Sequence, residues 1–247
     1  MAKAFSEKHG AIAVVCSRDI DRAKIATNQI TGNCVAEQVD VSNEISVIDL
    51  VRRIMNRYGK IDILINNAGF YFDKDVWHKR FHQTTKEELA ETLAVDLWGS
   101  FYMSREVIKA SLTEIAAKRT EFAGPSNKDN RGSVIINISS TPALEGYVEG
   151  SPYTIAKSAI LGLTKCIAKE YAENNIRCYT LALGNITTIA TFGTMNEYER
   201  QKASNESPMK RWGRPEEVAQ IAACIASDNF SYATGNTIII DGGTVIV

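Results

Sequence analysis

The 247-residue sequence has no C-x-x-C pair: Cys16, Cys34, Cys166, Cys178 and Cys224 are scattered along it. That spacing excludes a zinc ribbon and a disulfide framework, and it fits a reducing compartment. Long apolar runs are also missing, and nothing approaches the roughly 18 residues of a membrane span. The opening MAKAFSEKHG is charged from the start, unlike a secretory signal, so the expected location is cytoplasmic. Neither charge is in excess: 28 Lys and Arg face 29 Asp and Glu, a net charge of -1. No field therefore draws the chain to nucleic acid or to an anionic membrane. Hydrophobic residues at 45% and charged residues at 23% lie in the globular range and exclude disorder. With no internal repeat and no interdomain linker, residues 1–247 read as a single domain.

What is present is an alternation. Short β-branched runs predict strands at AIAVVC (11–16), CVAEQ (34–38), IDILIN (61–66), SVIINI (133–138), IRCYTLA (176–182) and NTIII (236–240). Helical patterns lie between them. One opens the chain and another starts near Asp21. A third, over NEISVIDLVRRIMNRYG, carries an apolar stripe at Ile45, Ile48, Val51 and Met55 and stops at Gly59. Thr85 and Glu88 form a capping-box pattern that opens a long helix through LAVDLWGSFYMSREVIKASL. Tyr153 to about Glu173 is helical, and Pro215 suits the first position of the last helix. Strands alternating with helices predict an α/β fold with a doubly wound parallel sheet, whose ligands bind at the carboxyl ends of the strands. The polar segment 118–131 lies at the opposite edge and reads as a surface insertion.

Tyr153 and Lys157 stand four apart on the predicted helix, on one face. A phenol ionises near 10 and is a poor acid–base group at neutral pH. An ammonium held beside it stabilises the phenolate; bringing a phenol down by about three units takes ~4 kcal/mol. Such a pair can give a proton to a carbonyl oxygen or take one from an alcohol. Ser140, just past a strand at the ligand edge, can hold the same oxygen. Alone, a Tyr-x-x-x-Lys pair is equally the solvated face of a helix.

The combination is more specific. NNAG (66–69), INISS (136–140), Tyr153 with Lys157, PMKRWGRPEEVA (208–219) and GNTIIIDGG (235–243) follow in order. Together they closely resemble the classical short-chain dehydrogenase/reductase family, over essentially the whole chain, and most of all the branch with 3-oxoacyl-carrier-protein reductases and glucose 1-dehydrogenases. The resemblance implies a Rossmann-like sheet, a nicotinamide cofactor, and hydride transfer between that cofactor and a small-molecule carbonyl or secondary alcohol. It implies Tyr153 as acid/base, Lys157 as its activator and a ribose ligand, and Ser140 as the holder of the substrate oxygen. Asn67, Ala68 and Gly69 would border the cofactor, Asp40 and Val41 would meet the adenine, and Ile186 and Thr188 the nicotinamide amide. In that last loop Leu183 replaces the family's Pro, while Gly184, which allows the turn, remains. Ser17 and Arg18 stand where NAD-specific relatives carry an acidic residue, so NADP is the expected cofactor, with NAD possible because Asp19 is adjacent. A homo-oligomer, tetramer or dimer, is also implied.

Three departures from the family pattern stand out. Asp96 takes the place of the usual Asn, whose backbone carbonyl holds a water in the proton relay; a carboxylate there either alters the field at Lys157 or is a tolerated near-isostere. Segment 70–85 is enlarged, and Phe70, Tyr71, Phe72, Trp77 and Phe81 either wall a substrate pocket or pack beneath a long loop. Its His78 and His82 have helical metal-ligand spacing but no evident third ligand, so no metal is expected. Segment 190–212 would form a lid. The largest departure is that no T-G-x-x-x-G-x-G turn occurs in the 247 residues, and MAKAFSEKHG resembles the helix that follows it. The expectations are weak dinucleotide binding and an unstable monomer; direct pairing of the strands at 11–16 and 61–66, or contacts in an oligomer, would offset the lost stability but not restore the pyrophosphate turn. The competing reading is a catalytically impaired or non-enzymatic member acting through oligomerisation.

Overall fold

The computed structural model describes residues 1–70, 74–121, 132–188 and 192–246. In chain order its elements are α1 (Ala2–His9), β1 (Ala13–Ser17), α2 (Ile20–Asn28), β2 (Cys34–Gln38), α3 (Glu44–Tyr58), β3 (Ile63–Asn66), a single turn α4 (Lys74–Trp77) and α5 (Lys86–Leu93). They continue with α6 (Gly99–Glu121), β4 (Val134–Ser140), a single turn α7 (Pro142–Glu145), α8 (Ser151–Tyr171), β5 (Arg177–Leu183), α9 (Glu197–Glu206), α10 (Pro215–Ala226) and β6 (Thr237–Ile240). All strand pairs are parallel. The α/β alternation read from the sequence is therefore the fold, with strand ends shifted by one or two residues. Of the insertion 118–131, residues 118–121 end α6 and residues 122–131 lie outside the described residues.

The predicted punctuation holds. Thr85 and Glu88 close a reciprocal capping box on α5, Gly59 ends α3 at φ 76°, and Pro215 is the first residue of α10. The stripe predicted on α3 holds only in its second half, where Val51 is buried and Met55 packs on the core. Ile45 and Ile48 are exposed, while Val47, Leu50 and Val51 are buried. Both sets have 3.6-residue spacing, and the packing of α3 on α6 selects the second.

The sheet is divided. β1 pairs with β2, and β3, β4, β5 and β6 pair in that order. Among the described residues no strand joins the facing edges of β1 and β3, so the direct pairing considered from the sequence does not occur. The four-stranded part is covered on both faces. Val134, Ile136, Tyr179 and Leu181 pack with Phe5 of α1 and with Val218 and Ala222 of α10. Ile135 and Cys178, on the other face, pack with Val47 and Leu50 of α3, Val107 of α6 and Ile167 of α8. The period-2 alternation of each strand separates the two layers.

One polar network crosses the second face. Asn66 Nδ2 donates to Asn137 Oδ1 at 2.7 Å and to Ser104 Oγ at 2.9 Å. Asn137 Nδ2 donates to Thr164 Oγ1 at 2.9 Å, and Thr180 Oγ1 donates to the same oxygen at 2.7 Å. These groups are buried, and each would cost about 1–3 kcal/mol if left unpaired. The network therefore fixes the register of α6 and α8 against β3, β4 and β5, just beneath the site.

Candidate active site

The site is assembled at the carboxyl ends of β3 and β4 by α8 and an irregular turn. Ser140 is the last residue of β4, and its Oγ donates to Leu183 O at 3.1 Å. Tyr153 lies in the first turn of α8 and Lys157 one turn further on. Lys157 Nζ is 5.6 Å from the centre of the Tyr153 ring and donates to Ile138 O at 3.2 Å. The helix and the strand end thus bring Ser140, Tyr153 and Lys157 to one region, as the sequence leads one to expect.

Asp96 is at the centre of the site. Between α5 and α6 the chain forms a π-helical turn, Ala94–Trp98, of the kind that often marks functional positions. The turn carries Asp96 inward to zero exposure. Its Oδ1 lies 2.6 Å from Lys157 Nζ with no hydrogen bond of good angle, so the contact is ionic. Its Oδ2 accepts the Phe70 N–H at 3.1 Å, and its backbone carbonyl accepts Ser100 Oγ at 2.8 Å. Asp96 is therefore more than an isostere: it pairs with the lysine ammonium and ties down the segment that follows NNAG. A Cβ on Gly69 would sit 3.2 Å from Asp96 Oδ1 and 3.8 Å from Lys157 Nζ, so Gly69 forms the roof of this ion pair.

The other predicted positions surround it. Asn67, Ala68 and Gly69 are exposed just past β3. Asp40, past β2, accepts Ser42 N–H and Ser42 Oγ at 3.0 and 2.6 Å. Val41 packs so closely on Gly99 that a Cβ there would meet Val41 Cγ2 at 2.7 Å; this contact brings the end of β2 to the turn that holds Asp96. At the end of β1, Ser17 Oγ accepts Asp19 N–H at 3.2 Å, and just past it the exposed Arg18 offers its carbonyl to Gln38 Nε2 at 2.9 Å. Asp19 caps α2 by accepting Asp21 N–H at 2.9 Å, so its carboxylate is already engaged. Past β5, Ile186 is buried and bridges to Gly213, while Thr188 is exposed. Gly184 does not take a left-handed turn. It is required for space instead, since a Cβ would meet Asp241 Cβ at 2.6 Å.

In the enlarged segment, Trp77 lies on Tyr153 with ring centres 4.3 Å apart. Phe70, Val76, Trp77, Thr92, Gly150 and Tyr153 line a small hollow. Phe70 and Trp77 are thus wall residues, Phe81 is exposed, and Tyr71 and Phe72 lie outside the described residues. His78 Nδ1 stands 3.1 Å from Glu149 Oε2, and His82 is exposed. Val76, Thr92 and Gly150 were not singled out from the sequence. Only Gly150, at φ 67° before the start of α8, carries a sequence signal.

The residues present fit a nicotinamide dinucleotide at its two ends. Exposed backbone follows β1 and β3, and Lys157 stands under Gly69 with donor capacity beyond its two contacts. A glycine-rich turn for the pyrophosphate is not among the 247 residues.

Comparison with known proteins agrees. A family model described as enoyl-(acyl carrier protein) reductase matches residues 1–245. A 3-oxoacyl-[acyl-carrier-protein] reductase of Chlamydia pneumoniae is 32% identical over 246 residues, 98% of this chain and 90% of that protein. Glucose 1-dehydrogenase 2 of Bacillus subtilis is 30% identical over 215 residues, 87% of this chain and 76% of that protein. The crystal structure of a 3-ketoacyl-(acyl-carrier-protein) reductase from Brucella melitensis, complexed with NADH, superposes with a TM-score of 0.84 at 28% identity. That match covers 99% of this chain and 92% of the other. With the sheet order, the NNAG turn and the Ser140, Tyr153 and Lys157 grouping in place, the chain belongs to the short-chain dehydrogenase/reductase family, in the branch of the oxoacyl-carrier-protein reductases and glucose 1-dehydrogenases.

Proposed function

We propose that this chain interconverts a carbonyl compound and a secondary alcohol, with Tyr153 as the acid/base and NADP as the preferred nicotinamide cofactor. The observation that carries the reading is the grouping of Tyr153 with a buried Lys157 at the carboxyl end of β4. The cofactor, when bound, supplies or accepts the hydride. The chain's own residues do the rest. Tyr153 donates the proton to the carbonyl oxygen in reduction and removes it from the alcohol in oxidation. Lys157 supplies positive charge beside the phenol and a donor for a ribose hydroxyl. Ser140 Oγ donates its one O–H to Leu183 O; its lone pairs can accept the O–H of an alcohol, and rotation of the hydroxyl would turn the O–H to a carbonyl oxygen. Asp96 fixes Lys157 and the NNAG turn.

Asn67, Ala68 and Gly69 border the cofactor, Asp40 and Val41 its adenine end, and Ile186 and Thr188 its amide end. For NADP, Arg18 is exposed past β1 and Asp19 is spent on α2, an arrangement that suits a 2′-phosphate better than a free diol. Among the described residues no helix is long and apolar enough to cross a membrane. A cytoplasmic tetramer or dimer is the assembly proposed. Its support is the aromatic group formed by the exposed Trp98 at the end of the π-helical turn with Phe101, Tyr102 and Arg105 of α6.

The test is Tyr153→Phe, which keeps the ring and removes only the transferable proton. Turnover falls by at least about 10²-fold, while unfolding and cofactor binding change little, and the unmodified chain shows the higher kcat/KM with NADPH. Retention of more than about a tenth of the rate would overturn the assignment. A chain that binds no dinucleotide and turns over no carbonyl would favour the non-enzymatic reading, for which the divided sheet is the supporting observation.

A further inference from the structure

We propose that Trp77 is a positioning residue for proton transfer: it holds the Tyr153 ring where the phenol meets the substrate oxygen, and it acts through Tyr153 rather than on the substrate. This rests on Tyr153 being the acid/base. A hydroxyl that gives and takes a proton has to keep its O–H and its lone pairs for the substrate. Among the described residues no hydrogen bond ties the Tyr153 hydroxyl down. Its place is therefore set by contacts of the ring and by the backbone beneath it. Two groups bear on the ring. Lys157 Nζ stands 5.6 Å from its centre, and the Trp77 indole lies 4.3 Å from it, centre to centre, at a tilt of 40°. Lys157 is also engaged with Asp96 and Ile138 O. The broad apolar surface against the ring comes from the indole.

The backbone beneath Tyr153 depends on the same segment. Tyr153 lies in the first turn of α8, which starts at Gly150 without a side-chain cap. The first N–H groups of a helix lack partners within it. Gly150 N–H donates to Lys79 O at 3.1 Å, Thr84 Oγ1 and Ser151 Oγ are hydrogen-bonded at 3.2 Å, and His78 Nδ1 stands 3.1 Å from Glu149 Oε2. On the other side Lys79 pairs with Glu88 of α5. Residues 77–84 thus form a strap fastened to the start of α8 and to α5, with Trp77 at the end that meets Tyr153. Gly150 allows the close approach: it adopts φ 67°, and a Cβ there would stand 3.1 Å from the Trp77 carbonyl oxygen. A reacting group misplaced by about 1 Å can lose about 10²-fold in rate. A side chain that fixes the ring is therefore felt in kcat without touching the substrate.

The experiment uses the full chain with NADPH and ethyl acetoacetate, a small 3-oxo ester, and compares Trp77→Ala, Trp77→Leu and Trp77→Phe. Trp77→Leu keeps apolar bulk without a flat face, and it serves where Trp77→Ala fails to fold. The expected kcat falls about tenfold in Trp77→Ala and Trp77→Leu, with KM changed by less than about twofold. Trp77→Phe, which keeps a flat face, recovers most of the fall. An unchanged kcat, a rise in KM that exceeds the fall in kcat, or equal rates for Trp77→Leu and Trp77→Phe overturns the proposal. A second readout does not need turnover. In crystal structures the Tyr153 ring should shift by about 1 Å or split between two rotamers in Trp77→Leu, and keep its place in Trp77→Phe. A ring that keeps its place in Trp77→Leu overturns the proposal even in an inactive chain. A ring that moves, in a chain that reduces no carbonyl, supports Trp77 as the residue that holds Tyr153 and counts against Tyr153 as acid/base.

Discussion

Asp96 shows how one side chain can reorganise a family site. Its carboxylate is fully buried and compensated by a single ammonium and a single peptide N–H. Removing one partner of a buried ion pair leaves the other charge stranded, which typically costs about 3–5 kcal/mol. Asp96→Asn keeps an acceptor for Phe70 N–H, so a loss of about 3 kcal/mol is expected, read as a lower urea midpoint. The double variant with Lys157→Met should recover most of that loss, because neither charge then remains. Additive losses in this cycle would show that the two groups are not coupled. The expectation that Gly184 permits a turn illustrates a different residue-scale lesson. The residue is required, but for the approach of Asp241 rather than for its φ.

At the scale of elements, β5 and α10 are joined by Arg177. Its guanidinium donates to Ile225 O at 3.0 Å, Ala226 O at 3.2 Å, Ser227 O at 3.2 Å and Phe230 O at 2.9 Å, and also to Tyr179 Oη at 2.9 Å. These include the carbonyls that the end of α10 leaves unpaired, where positive charge is also favoured by the helix dipole. Arg177→Ala should therefore destabilise the fold by about 2–4 kcal/mol, seen as a drop in Tm without loss of helix content below it. An unchanged Tm would show that water replaces the clamp. Nothing in RCYTLAL marks this arginine in the sequence, since its partners come from some 50 residues further on. The π-helical turn at 94–98 was equally hidden. AVDLW continues the helical pattern of its flanks, and the irregularity coincides with the buried Asp96 and its contact with Lys157.

For the whole molecule, the divided sheet is decisive. β4 and β5 are flanked by strands on both sides and covered by helices on both faces, whereas β1 and β2 pair only with each other. Val14 and Val15 are only half-buried, unlike Ile135, Ile136 and Leu181. Stability should therefore be uneven, with local opening of β1, α2 and β2 before the rest. Hydrogen exchange tests this: amides of β1 and β2 should exchange at least about tenfold faster than those of β4 and β5. Uniform protection across the six strands would mean that the two sheets behave as one unit. Because Ser17, Arg18, Asp40 and Val41 sit on the less stable half, dinucleotide binding should raise protection there first.

Local signals determined the order of strands and helices, the helix ends at Gly59, Thr85 and Pro215, and the spacing of Tyr153 and Lys157, because each depends on neighbours a few residues away. The ordered motifs from NNAG to DGG then identified the family. What only the tertiary structure decided are choices between locally equivalent options. Val47 and Leu50 rather than Ile45 and Ile48 face the core of α3, because α6 covers that side. Asp96 points inward, because Lys157 and Phe70 N–H await it from elements 61 residues later and 26 residues earlier. Trp77 rather than Phe81 meets Tyr153, because Gly150 lets the chain approach. Each of these contacts is fixed by partners distant in sequence, and the energy of burying or pairing a side chain depends on partners that the linear order does not display.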